Sequence, residues 1–169
     1  MIEPASQTPA DRMRLSDILA VTRILVDVDG SFVKTKGDTL RALAEMLAPA
    51  VGTEAETVEH LLFEREKLQS TGIGDRVAIP HCALDTAEGQ AAALVLCPRG
   101  VEFEAIDGEP VDIVFGVVGP KRATGEHLRT LARISRLLRD EQTRMRLLAS
   151  PNAQAAYQLI ESHEAGAAH

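Results

Sequence analysis

The chain has 169 residues, 45% of them hydrophobic, enough for one sizeable core in one domain. Its 18 Lys and Arg stand against 25 Asp and Glu, for a formal net charge of −7, and tryptophan is absent. That balance argues against nucleic acid as a partner, which needs clustered positive charge, and no apolar run is long enough to span a bilayer.

Residues 1–12, MIEPASQTPADR, are polar and proline-spaced and read as a disordered tail. They lack the basic-then-apolar order of a secretory signal. Cys82 and Cys97 are too few for a disulfide framework or a zinc knuckle, and they fit a reduced, cytoplasmic setting. The folded domain is expected over 13–163, with a second tail at 164–169. A short helix at 15–19 has Ser16 near its cap. The β-branched run at 22–28 reads as a strand ended by Asp29-Gly30. Leu40, Leu43, Ala44 and Leu47 have helical spacing over 35–47, with Pro49 as the stop. A second helix over 54–68 puts Val58, Leu61, Leu62, Arg65 and Leu68 near one face. Arg65 there is either an arginine snorkelling off the stripe or a functional cation.

The stretch 70–83, STGIGDRVAIPHCA, is the focus of the chain. Ser70, Thr71, Gly72, Ile73 and Gly74 form a small loop whose glycines let backbone N–H groups approach an anion. A short strand at 77–79 follows, then Pro80, which stops it and sets the direction in which His81 leaves. His81 is either a satisfied core histidine or an imidazole presented beside a phosphate-holding loop. Further strands are expected at 91–96 and 111–118, with a weaker alternating one at 101–106. The near-continuous apolar run at 111–118 implies a strand buried on both faces, hence an α/β fold with helices on both sides of the sheet. Helices at 125–138, at 140–149 and from Ser150-Pro151 to about 162 complete the chain. Arg129, Arg133 and Arg136 line one helical face, either solvated or a docking surface.

Several motifs point elsewhere. Gly72-Ile73-Gly74 lacks the third glycine of a dinucleotide site, and Gly119-Pro120-Lys121 lacks a P-loop ending. The segment 24–31 resembles the first motif of haloacid-dehalogenase-type magnesium phosphatases, with Asp27 as nucleophile. The lysine and acidic pair of that chemistry are not matched, and a solvent-exposed turn is the ordinary reading. Among the histidines, His60, His163 and His169 read as surface residues. His127, near a helix start, is either exposed or a donor to an anion.

Arg65, the 70–74 loop, VAIPH at 77–81, FEAIDG at 103–108, PVD at 110–112 and HLRTL at 127–131 occur in an order that resembles the enzyme IIA components of the phosphoenolpyruvate-dependent phosphotransferase system, fructose/mannitol type. Within that family the chain is most similar to the nitrogen-regulatory members. The resemblance implies a mixed β-sheet sandwiched between helices. It implies that an HPr-type phosphocarrier donates a phosphoryl group to His81, flanked by Arg65 and His127, with no cofactor and no metal. Downstream it implies regulatory target proteins, or a IIB protein if the chain serves a sugar system. No permease segment or IIB domain lies within these residues, which favours the regulator. Two departures stand out: Arg76 replaces a glycine of the loop, and Cys82 replaces the glycine after the histidine. The first would alter the loop or add charge near the site. The second is either a plain small residue or an oxidation-sensitive thiol.

Overall fold

The computed structural model describes residues 13–167, so the segment 1–12 and residues 168–169 lie outside it. Six helices and six strands are formed by the described residues. The helices are α1 (Leu15–Ile18), α2 (Lys36–Leu47), α3 (Ala55–Leu68), α4 (Thr124–Arg139), α5 (Glu141–Leu148) and α6 (Ala153–Ala167). The strands are β1 (Ile24–Val26), β2 (Gly72–Gly74), β3 (Val77–Ala78), β4 (His81–Leu84), β5 (Ala91–Val101) and β6 (Val111–Pro120).

The sheet is mixed, in the order β1-β5-β6-β3-β2, with β4 also on β6. β5 and β6 are its antiparallel centre, while β1 runs parallel to β5 and β3 and β4 run parallel to β6. Alternate residues of β5 serve two cores. Ala91, Ala93, Val95 and Cys97 pack with α2 and α3. Ala92, Leu94 and Leu96 pack with α1 and the three C-terminal helices. The expected arrangement of helices on both faces is therefore present, and β6 is buried along its whole length.

α2 begins where its sequence directs. Thr35 Oγ1 accepts from Asp38 N–H at 3.0 Å, and the Asp38 carboxylate accepts from Thr35 N–H at 3.2 Å. Other boundaries differ from the expectations. The strand at 22–28 shrinks to Ile24–Val26, preceded by a 3-10 turn at Val21–Arg23. No strand forms over 102–106, where Glu104 takes φ +55° and only Phe103 is buried within the loop. Ser16 lies inside α1, whose cap is Arg14. Ser150-Pro151 precedes α6, and Asn152 Oδ1 caps it by accepting from Ala155 N–H at 2.9 Å. α6 also runs to Ala167, past the Glu164 at which a tail was expected. The Glu164 carboxylate ties it down by accepting from the N–H groups of Leu15 at 2.6 Å and Ser16 at 3.0 Å. Among the described residues, no helix is long and apolar enough to cross a membrane.

Gly116 sits where α2 crosses β6. A Cβ there would meet Leu43 Cδ2 at 2.9 Å, and Leu43 has no exposed surface. Gly116→Ala is expected to destabilise the fold by about 1–3 kcal/mol through overpacking. Thermal melting should fall by about 2–4 °C per kcal/mol; an unchanged melt would mean that Leu43 has room to move.

Candidate functional site

β3 and β4 are two parts of one line. Val77 lies opposite Ile113, Ala78 opposite Val114 and His81 opposite Val117, all in a single register along β6. The line breaks at Ile79-Pro80 because proline has no N–H to give to the ladder. The Pro80 carbonyl still accepts from Val117 N–H at 3.0 Å. The strand thus resumes at His81, rather than ending just before it as the sequence suggested. At the break, Ile79 N–H donates to the Thr71 carbonyl at 3.0 Å, and the Ile79 carbonyl lies 2.7 Å from His81 Nδ1. A carbonyl only accepts, so Nδ1 carries the proton and the neutral ring keeps its lone pair on Nε2.

The second imidazole comes from α4. His127 occupies the first turn of that helix, and its ring centroid is 5.5 Å from that of His81, with the planes at 54°. Its Nδ1 is buried without a hydrogen-bond partner. Gly119 makes the space for it, since a Cβ there would stand 3.2 Å from that nitrogen. Both rings hold their protons less tightly than an ordinary histidine. For His81 the main cause is burial; the Ile79 hydrogen bond opposes it, the Arg65 charge adds to it, and the Glu66 charge opposes it. For His127 the causes are burial and then His81.

Arg65 lies in the last turn of α3, close enough for its charge to act on His81. One of its N–H groups donates to the Gln69 carbonyl at 2.8 Å. The 70–74 loop is more committed than its glycines suggested. Thr71 N–H lies 3.2 Å from both Glu66 carboxylate oxygens, and the Thr71 hydroxyl donates to the same group. Gly72 N–H donates to Ser70 Oγ at 3.2 Å, while that hydroxyl donates to the Phe103 carbonyl at 3.3 Å. The missing side chain of Gly72 accommodates Ala105, whose Cβ would be 2.7 Å from a Cβ at 72. Glycine at 72 therefore serves close packing, and the N–H groups of Thr71 and Gly72 are engaged within the protein. Gly74, at φ +94°, enters the hairpin turn to β3.

Glu66 is the residue the sequence reading passed over. The buried positions of α3 are Val58, Leu62 and Glu66, whereas Leu68 is 82% exposed. A glutamate in the i, i+4, i+8 series of a buried stripe was the available signal.

The two departures from the family pattern are resolved by packing. Asp75 and Arg76 take φ +55° and +62° in the tight β2–β3 turn. Arg76 Nε donates to Asp112 Oδ2 at 2.8 Å, and the Arg76 carbonyl accepts from Asp112 and Ile113 N–H at 2.9 and 3.2 Å. This anchor is five residues along β6 from Val117, roughly 17 Å at strand spacing, so the charge is not added beside His81. Cys82 is buried and its thiol is pushed up to about 12 by that burial, which makes it an inert packing residue.

Asp27 departs from the phosphatase reading and from the exposed turn alike. It is 1% exposed, and its carboxylate accepts from Val33 N–H at 2.9 Å and Phe32 N–H at 3.2 Å, folding the chain back after β1. His60 and His163 are exposed, as are Arg129 and Arg136. A set of exposed apolar side chains stands on the elements that carry the site: Phe63 and Leu68 on α3, Ile73 on β2, Leu128 beside His127, and Ile106 beside the Ala105 that packs on Gly72.

A strand broken by proline, with an imidazole held at the break and facing a second one, defines a histidine site without a metal cluster among the described residues. The chain belongs to the family described as phosphoenolpyruvate-dependent sugar phosphotransferase system, EIIA 2, whose model matches residues 19–163. Among its relatives, a nitrogen regulatory protein of Pseudomonas aeruginosa is 38% identical over 149 residues, 88% of this chain and 95% of that protein. Another of the same description, from Bradyrhizobium diazoefficiens, is 38% identical over 156 residues, 92% of this chain and 100% of that protein. The crystal structure of nitrogen regulatory protein IIA-Ntr from Neisseria meningitidis superposes with a TM-score of 0.79 at 29% identity, covering 86% of this chain and 98% of that one.

The lowered pKa values of His81 and His127 fix a pH response. Protonation favours the unfolded chain, so their contribution to stability is complete above the ordinary histidine value of about 6.5 and is lost as pH falls below it. Urea midpoints are expected to drop between pH 7.5 and pH 5, and less so in His127→Gln. An equal drop in both proteins would remove His127 as a cause.

Proposed function

We propose that the protein is a regulatory phosphocarrier that takes a phosphoryl group from an HPr-type protein onto His81. The observation that carries this reading is the Ile79 carbonyl on Nδ1, which leaves Nε2 as the nucleophile. A neutral imidazole needs no separate base, and the lowered pKa of His81 keeps it neutral at pH 7. The Nε2 lone pair attacks phosphorus and forms a new N–P bond. The donor's P–N bond breaks, its electron pair returns to the donor ring, and that ring takes up a proton from solvent. The Nδ1 proton stays on the ring, donated to the Ile79 carbonyl.

The transferred group is anionic throughout, so positioning and charge stabilisation are the main tasks of the protein. Arg65 is assigned to clamp the phosphoryl oxygens and His127 to donate to them. Among Ser70, Thr71, Gly72 and Gly74, the Thr71 and Gly72 N–H groups would reach a phosphoryl oxygen only by leaving Glu66 and Ser70. The loop is therefore assigned to support Ile79. The exposed apolar side chains on the elements that carry the site suit transient docking of a protein, and a new dianion on His81 would change what docks. Near full-length similarity to nitrogen regulatory proteins supports targets that are regulated proteins, with a IIB protein of a sugar system as the alternative acceptor. A cytoplasmic setting follows from that chemistry.

Incubation with phosphoenolpyruvate, enzyme I and an HPr-type carrier should add one acid-labile phosphoryl group by mass spectrometry. His81→Ala should abolish it. His127→Ala should slow it by about 10²–10³-fold, the usual cost of losing one donor to a developing charge. No modification of folded wild-type protein would overturn the reading. Rapid discharge to a IIB protein would favour the sugar-carrier alternative.

A further inference from the structure

The bonds from β6 go to the Arg76 and Pro80 carbonyls, so Ile79 presents its backbone groups to the opposite side and is not held by that ladder. Its backbone anchor is the Thr71 carbonyl, which accepts from Ile79 N–H at 3.0 Å. Thr71 is anchored in turn by Glu66, through its N–H and its hydroxyl. Glu66 is 7% exposed, and Lys36 of α2 reaches its other oxygen at 2.8 Å while lying 4.8 Å from the centre of the Phe103 ring.

A buried ion pair of this kind is weak evidence for stability, because desolvation offsets most of its attraction. Its geometric effect is clearer. Thr71 is pinned at its N–H, its hydroxyl and its carbonyl, and Ile79 is pinned at its N–H and its carbonyl. The last contact in the series is the 2.7 Å bond to His81 Nδ1. Two charges act on His81, Arg65 and Glu66 from α3, with Lys36 from α2 paired to Glu66, and the His127 ring from α4 faces it. Of these, Glu66 is the one joined to the imidazole by an unbroken series of short contacts.

We propose that Glu66 is a positioning residue for His81, fixing the Ile79 carbonyl through Thr71 and so holding the Nδ1–H tautomer that leaves Nε2 free to react. The inference rests on the phosphocarrier reading for its consequence, and on Glu66, Thr71 and Ile79 alone for its geometry.

The test reads both separately. Imidazole 15N NMR of the unphosphorylated protein gives the His81 tautomer and titration midpoint; single-turnover transfer from a phosphorylated HPr-type carrier gives the rate. The Lys36→Met/Glu66→Met double variant is the apolar replacement that buried ion pairs tolerate, and it removes the acceptor for Thr71. It is expected to lose the single tautomer and to slow transfer by about 10–100-fold, the usual cost of removing an outer partner of a functional histidine. Glu66→Gln keeps an acceptor for Thr71 but not the charge. It should keep the tautomer, lower the His81 midpoint and retain more of the rate than the double variant. A folded double variant with wild-type tautomer and rate overturns the proposal. If the double variant does not fold, Thr71→Val, which removes the hydroxyl that Glu66 accepts from, decides, and a wild-type tautomer and rate in it overturn the proposal. Failure of the wild-type protein to accept phosphate would instead sink the phosphocarrier reading while leaving the tautomer result to judge the geometry.

Discussion

One interrupted hydrogen-bond ladder organises this molecule. Val77 to Leu84 would be a continuous parallel strand beside β6, but Pro80 has nothing to donate to it. On the side of this strand away from β6, the Ile79 carbonyl meets His81 Nδ1 just before the break. Sheet and imidazole are joined at that contact. The rest of the fold keeps that junction rigid. β6 is buried on both faces, and two helical layers press on it.

Local chemistry explains which parts were legible in the sequence. The Pro80-His81 pair, the helical spacing of Leu40, Leu43 and Leu47, and the apolar run at 111–118 each depend on one element, so reading along the chain finds them. Residues whose roles come from distant partners were not legible. Asp27 looked like a turn residue because its acceptor role toward Phe32 and Val33 exists only after the chain folds back. Arg76 looked like a disturbance at the site, yet Asp112 fixes it at the opposite end of β6. Leu68 matched a helical stripe that the packing assigns to Glu66.

The phosphate-holding role expected of the 70–74 loop meets polar groups that are already engaged within the protein. Its glycines did mark a special backbone, but Gly72 is explained by Ala105 and the Thr71 N–H by Glu66. What the loop supplies is support for Ile79. On the elements that carry the site, the side chains of Phe63, Leu68, Ile73, Ile106 and Leu128 are exposed. An imidazole held from behind by the Ile79 carbonyl fits the proposed passing of a group between macromolecules.

The most direct measurement is the position of the phosphoryl group on the His81 ring. Phosphorus-coupled 15N NMR of the protein, phosphorylated by its carrier, distinguishes the two nitrogens. Phosphate on Nε2, with the Nδ1 proton retained, is the predicted result. Phosphate on Nδ1 would contradict it, because that nitrogen would first have to leave the Ile79 carbonyl.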